Sequence, residues 1–333
     1  MESAMQSYHL PVKQKTSPTP TAKFDPTYGY DLDGLLKVKG PDEPKDFASR
    51  WQKWRSAALE MKPCPAIRDT GIDQKDWQVF DMEYMSTDDV RIRGWLLLPR
   101  KGPVRRGFIV GHGYGGRDEP DFHLPFPDAA ILFPCARGIS RSHSSHFSAV
   151  PSWHVLHNIQ DPERYIFRGC AEDLWLGVTA LLRLFPHLEG HLGYLGISFG
   201  GGVGALALAW EDRIARAHVN VPSFGHQVLR LKLPSQGSAA SLQAFSRKHP
   251  GVAEKNLVYF DAAIAARHIE IPVHCALALA DPMVAPPGQF AIYNSLAGPS
   301  SLFVLPAGHM EYADQEEIEG QLLEELESFF EEL

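Results

Sequence analysis

No stretch of this 333-residue sequence approaches the ~20 consecutive apolar residues that a bilayer-spanning helix requires, and the N-terminus has no apolar segment of the kind a secretory leader uses. Neither membrane insertion nor secretion is expected. Basic residues are few as well: 32 Lys and Arg against 40 Asp and Glu leave a net charge of -8. The nearest approach to a basic cluster is Arg100-Lys101 with Arg105-Arg106, which flank a turn. Phosphate neutralisation needs clustered cations, so no nucleic-acid partner is expected. The four cysteines, Cys64, Cys135, Cys170 and Cys275, lie far apart with no Cys-x-x-Cys. This argues against a disulfide framework and for reduced thiols in a cytoplasmic protein. Cys135, Cys170 and Cys275 sit in apolar runs and read as core. His143, His146, His154 and His157 share a Ser- and Trp-rich stretch, but no carboxylate or cysteine lies at metal-ligand spacing among them. The stretch reads as a loop at an interface or at an active-site rim, and no metal is expected.

What is present suits one enlarged α/β domain running from about residue 23 to 333, preceded by a polar, proline-bearing tail over 1–22 expected to be disordered or loosely docked. Phe47, Trp51, Trp54, Ala58 and Met61 recur at helical spacing. The runs 77–85 and 90–98 predict an antiparallel hairpin at the sheet edge. Arg106 to Val110, Asp128 to Ala136, Ala215 to Val221, Ile271 to Ala280 and Ser301 to Leu305 read as buried strands. Asp161-Pro162-Glu163 predicts the start of a helix with Pro in its first turn. The segment 223–270 is mixed and helical without a clear strand, as a cap insertion would be. The last helix turns Ile318, Leu322, Leu326 and Phe329/Phe330 inward and eight glutamates outward, a solvated face.

The chain is organised around Gly196-Ile197-Ser198-Phe199-Gly200, where an apolar strand runs directly into a small-residue helix. A serine is lifted clear of a sheet only by a sharp turn whose neighbours lack a Cβ, and this strand-turn-helix context is that of a nucleophile elbow. Downstream, Asp281-Pro282 and Gly308-His309 each follow a predicted strand, giving the order Ser, Asp, His. Ser198 is the expected nucleophile, His309 its base and Asp281 the acid that orients the base, with Glu311 held in reserve as the acid. The loop Gly111-His112-Gly113-Tyr114-Gly115-Gly116 faces the elbow. The backbone N–H groups of Tyr114 and Phe199 are the expected oxyanion donors, and His112 is expected to brace the loop. The fold expected is therefore an α/β-hydrolase: a mostly parallel central sheet with helices on both faces and a small helical cap at about 223–270.

The chain also resembles the acetyl xylan esterase and cephalosporin C deacetylase family of α/β-hydrolases over nearly its whole length. The likeness lies in His112-Gly113-Tyr114, Arg137-Gly138, Gly196-Ile197-Ser198-Phe199-Gly200, Tyr259-Phe260-Asp261-Ala262-Ala263, Ala280-Asp281-Pro282 and Gly308-His309. The resemblance implies Ser198, Asp281 and His309 as the triad and the Tyr114 and Phe199 amides as the oxyanion hole. It further implies deacetylation of small acetylated sugars or related, cephalosporin-like esters, no cofactor, and often a hexameric homo-oligomer with enclosed sites. Three positions depart from the family pattern. Ile139 stands where it has Gln after Arg-Gly, Phe199 where it has Gln after the serine, and Met310 where it has Glu after the histidine. With Arg137, Ile139 and Met310 assigned to the substrate pocket or rim, these departures predict a drier site. The alternatives are a peptidase or lactone hydrolase on the same fold and a non-catalytic hydrolase-like binding protein.

Overall fold

The apolar runs become the strands of a single sheet. The computed structural model describes residues 7–9 and 23–333. The strands are β1 (Ser7–His9), β2 (Ala66–Asp69), β3 (Trp77–Met85), β4 (Arg91–Pro99), β5 (Arg106–Gly111), β6 (Ala129–Pro134), β7 (Leu192–Ile197), β8 (Arg216–Asn220), β9 (Val273–Ala278) and β10 (Ser300–Leu305). They are ordered β1-β10-β9-β8-β7-β5-β6-β4-β3-β2. From β1 to β6 every pairing is parallel, whereas β4, β3 and β2 join antiparallel. The parallel strands β6 and β9 are buried at every residue, as strands covered on both faces must be.

The expected hairpin forms between β3 and β4, with Trp77 opposite Pro99 and Met85 opposite Arg91. It is not the edge, because β2 pairs outside it. All four residues of β2 are exposed, so the strand carries no hydrophobic alternation by which to be read.

The two faces are covered unequally. One carries the helices Phe47–Leu59, Ile166–Leu184, Phe199–Leu208 and Pro286–Tyr293, whose apolar residues form one large cluster with the sheet. The other carries the C-terminal helix Gln315–Phe329, where Phe108 stacks on Phe126 and Phe330 meets both rings edge-on. Between 223 and 270 the chain forms only short helices, the longest being Ala239–Lys248. Of the N-terminal tail, Ser7–His9 pairs with β10. The rest of the expected tail lies outside the described residues.

Two local expectations are corrected. Asp161-Pro162-Glu163 is a turn, and the helix starts only at Ile166. The Glu163 carboxylate accepts from Arg50 and from the Trp54 indole, each at 2.8 Å, so the segment is held against the Phe47–Leu59 helix instead of winding into its own. One glutamate of the last helix is less solvated than expected: Glu325, its side chain 27% exposed, reaches buried His274 at 3.2 Å.

Candidate active site

Strands β5 and β7 are parallel neighbours, with Gly111 opposite Gly196, so the loop after β5 opens beside the turn after β7. That turn is tight. Ser198 sits at φ 53°, ψ -110°, a conformation that L-residues rarely adopt. A Cβ on Gly196 would lie 2.7 Å from the backbone of Gly200, and one on Gly200 would lie 2.7 Å from that of Gly111, so the elbow closes only with glycine at both positions. Ser198 is thereby left at the C-terminal edge of the sheet, 8% exposed, with the helix Phe199–Leu208 beginning at the next residue.

Asp281 follows β9 and His309 follows β10, so both reach the same edge. His309 Nε2 lies 2.9 Å from Ser198 Oγ, and His309 Nδ1 lies 2.7 Å from Asp281 Oδ2. Hydroxyl, imidazole and carboxylate thus touch in sequence. Asp281 is fully buried, and its second oxygen, Oδ1, accepts from the Met283 and Val284 amides at 2.8 and 2.9 Å. Glu311, the reserve acid, is exposed, and the ring nitrogen it would have served is taken by Asp281.

Gln289 completes the carboxylate's shell and was not singled out from sequence. Its amide donates to Asp281 Oδ2 at 3.1 Å and to the Val284 carbonyl at 2.7 Å, while its oxygen accepts from the Ala278 amide at 3.0 Å. The available signal was a lone amide side chain in the otherwise apolar helix Pro286–Tyr293.

The facing loop is pinned on two sides. His112 Nδ1–H donates to the Gly113 carbonyl at 2.6 Å, and its Nε2 accepts from the Ala136 amide at 2.9 Å. The His112 carbonyl in turn accepts from the Gly200 amide at 2.9 Å. Burial pushes His112 down to about 4, so the ring is neutral and keeps both bonds at neutral pH. The Tyr114 ring stacks on Phe199 at 4.3 Å, and its hydroxyl donates to His154 Nδ1 at 3.0 Å. His154 Nε2–H donates to the Arg137 carbonyl at 3.0 Å, and burial lowers this histidine to about 4 as well. Among the described residues the backbone N–H groups of Tyr114 and Phe199 have no partner, the latter being an orphan donor of a helix start.

Two of the expected rim residues lie elsewhere. Arg137 is 2% exposed, and its guanidinium donates to both Asp173 oxygens at 2.7 and 3.0 Å and to Thr87 Oγ1 at 2.9 Å. Burial works against its charge, but the adjacent Asp173 raises the pKa overall. A side chain so committed is fixed by Asp173 and Thr87, and its backbone carbonyl accepts from His154, the partner of the Tyr114 hydroxyl. Ile139 is likewise 2% exposed, in the core behind the Gly113–Gly116 loop. Phe199 is as buried as these two, its ring packed on Tyr114 and near Phe224. Only Met310, half-buried beside His309, keeps contact with solvent.

A hydroxyl joined to a ring nitrogen, a buried carboxylate behind that ring and two nearby amides without a partner among the described residues are the parts that acyl transfer requires. Comparison with known proteins agrees with this chemistry. The acetyl xylan esterase (AXE1) family matches residues 29–323. Among solved structures, the acetyl xylan esterase from Paenibacillus sp. R4 superposes with a TM-score of 0.79 at 22% identity, covering 89% of this chain and 99% of that one. Acetyl xylan esterase 1 from Thermoanaerobacterium sp. JW/SL YS485 gives 0.77 at 19% identity, covering 91% and 99%. An acylaminoacyl peptidase from Pyrococcus horikoshii gives 0.60 at 16% identity, covering 78% of this chain and 42% of its own. These structural likenesses establish the α/β-hydrolase fold, and with the family pattern spanning nearly all of the described domain, the chain belongs to the acetyl xylan esterase family and is a carboxylic ester hydrolase.

Proposed function

We propose that the chain is a serine deacetylase of small acetylated substrates, working through an acyl-enzyme on Ser198. The observation that carries this reading is the continuous contact from Ser198 Oγ to His309 Nε2 and from His309 Nδ1 to Asp281 Oδ2, at 2.9 and 2.7 Å. Ser198 Oγ attacks the ester carbonyl carbon as His309 Nε2 takes its proton. The negative charge then forming on the carbonyl oxygen is met by the Tyr114 and Phe199 amides, and losing one such donor typically costs ~3 kcal/mol of barrier. His309 returns the proton to the departing alcohol oxygen. Water, activated by the same nitrogen, then cleaves the acyl-serine and restores the hydroxyl. Asp281 keeps the proton on Nδ1, so Nε2 remains the acceptor.

Three features of the setting belong to the same proposal. The helical segment 223–270 serves as a cap over the acyl or alcohol side of the cleft, and Met310 makes the rim drier than a glutamate would. The chain works as a homo-oligomer, as its family resemblance implies. All four cysteines are unpaired thiols, which supports a cytoplasmic setting. The test is a series of p-nitrophenyl acetate, butyrate and octanoate with acetylated xylose, assayed on wild type and Ser198→Ala. Turnover that favours the short acyl groups and disappears with the hydroxyl is expected; equal turnover by the alanine variant overturns the reading. Aminoacyl nitroanilides in the same panel separate a peptidase from an esterase.

A further inference from the structure

The chain leaves the sheet before it reaches the triad's acid. Strand β9 ends at Ala278, after which the Leu279 amide donates to the Leu305 carbonyl at 3.0 Å and the Ala280 carbonyl accepts from the Gly308 amide at 2.8 Å. The next amide, that of Asp281, takes a partner from outside the sheet. It donates at 2.9 Å to the carbonyl of Pro26, a buried residue 255 positions earlier.

Pro26 sits in a short, ordered turn. Asp25 Oδ1 accepts from the Thr27 amide at 2.9 Å and from its hydroxyl at 2.8 Å, and the Tyr28 amide donates to the Asp25 carbonyl at 3.2 Å. The Tyr28 hydroxyl then donates to the Pro234 carbonyl at 2.8 Å. Burial first, and then the negative charge of Asp281, raise this hydroxyl's pKa, so it stays protonated and remains a donor. Pro234 lies in the helical segment 223–270, which itself returns to the acid loop: Ser235 Oγ donates to the Met283 carbonyl at 2.9 Å, and the Gln236 amide donates to the Pro282 carbonyl at 2.8 Å. Three stretches distant in sequence thus close a ring, each bonded to the other two. The ring meets the triad at Asp281, whose carboxylate must point at His309 Nδ1; a misplacement of about 1 Å in such a group can cost ~10²-fold in rate. Residues 25–28 precede residue 29, where the family match begins, so the family pattern gives them no role.

We propose that segment 25–28 is a positioning strap: through the Pro26 carbonyl and the Tyr28 hydroxyl it sets the aim of Asp281 and ties that aim to the seating of segment 223–270. The proposal rests on Asp281 as the acid of the triad. The strap acts only through that residue and adds no chemical step.

The test loosens the strap in the full chain and asks whether the effect needs the carboxylate. Tyr28→Phe removes one donor, and Asp25→Ala removes the oxygens that shape the turn. Each should lower kcat for p-nitrophenyl acetate about threefold, and the pair about tenfold, with KM changed less than about twofold. Asp25→Asn, whose amide oxygen can still accept from Thr27, should recover most of the Asp25→Ala loss. The same variants are then measured in Asp281→Asn, where no carboxylate is left to aim. There the loosened strap should lower kcat by less than about twofold more. Circular dichroism and urea midpoints put every rate on a folded-molecule basis; if the pair does not fold, Tyr28→Phe in the two backgrounds decides alone. A loss that carries over in full into Asp281→Asn, or no loss in the wild-type background, overturns the strap and leaves the triad standing. Wild-type kcat in Asp281→Asn itself would instead overturn the triad reading, and the strap with it.

Discussion

Two of the protein's buried polar clusters, one around Arg137 and one at the elbow, are built from similar residue types and end differently. Around Arg137 the network closes on itself: the Arg137 and Asp173 side chains are each 3% exposed, and Asp173 also accepts from Ser86 at 2.5 Å. At the elbow the chain of contacts begins just as deep, at fully buried Asp281, but runs outward through His309, whose side chain is 23% exposed, to Ser198 at the sheet edge. The first cluster satisfies every charge internally and braces the loop that carries Tyr114. The second stops at a hydroxyl beside two amides that have no partner among the described residues, the open end on which the proposed chemistry rests. Burial and charge are common to both; the open end is what separates chemistry from support.

This contrast can be broken at either cluster. The largest effect should come from Ser198→Ala, which lowers kcat/KM for p-nitrophenyl acetate by about 10⁶-fold. The melting temperature should stay within a degree or two, because little volume is lost. Asp281→Asn comes next, with kcat down about 10⁴-fold, since an amide in place of the carboxylate favours the wrong imidazole tautomer. Steady-state rates and circular dichroism together check both. At the closed cluster the signature should invert. Asp173→Asn leaves the Arg137 charge without its buried partner and should cost about 3–5 kcal/mol in urea unfolding, with kcat per folded molecule nearly retained. If instead it destroys kcat while stability holds, the two clusters are not distinct in the way described.

The smallest of these effects concerns pH. His112 and His154 are neutral in the fold, with pKa values lowered to about 4 from an ordinary 6.5. Below 6.5 the unfolded chain binds protons at these rings that the folded chain refuses, so stability falls as pH drops from about 6.5 towards 4 and levels off below. Each ring accounts for about 3 kcal/mol at most. Urea midpoints measured from pH 7 to pH 4 should show this slope. His154→Gln should remove about half of it, since Gln can still bond Tyr114 and the Arg137 carbonyl without titrating while His112 still titrates.

Much of the site was legible because its parts are local. The elbow announces itself through Gly196 and Gly200 on either side of a strand-to-helix junction. Asp281 and His309 each stand one short turn past an apolar strand, where a parallel sheet gathers its strand ends. What escaped the sequence depends on partners distant along the chain. Arg137 reads as a rim residue until Asp173, 36 positions on, is seen to bury it. The role of Gln289 needs the fold that brings it to both Asp281 and Ala278. Strand β2 has no apolar face, and the turn at Asp161 is decided by Arg50 and Trp54, more than a hundred residues away.

The most direct check on the central claim is intact-protein and peptide mass spectrometry after treatment with a fluorophosphonate, which reacts only with a serine whose proton a neighbouring base removes. One adduct per chain is predicted, on the peptide containing Ser198, and it should vanish in His309→Ala. No adduct, or one that persists on Ser198 without the imidazole, would contradict the account.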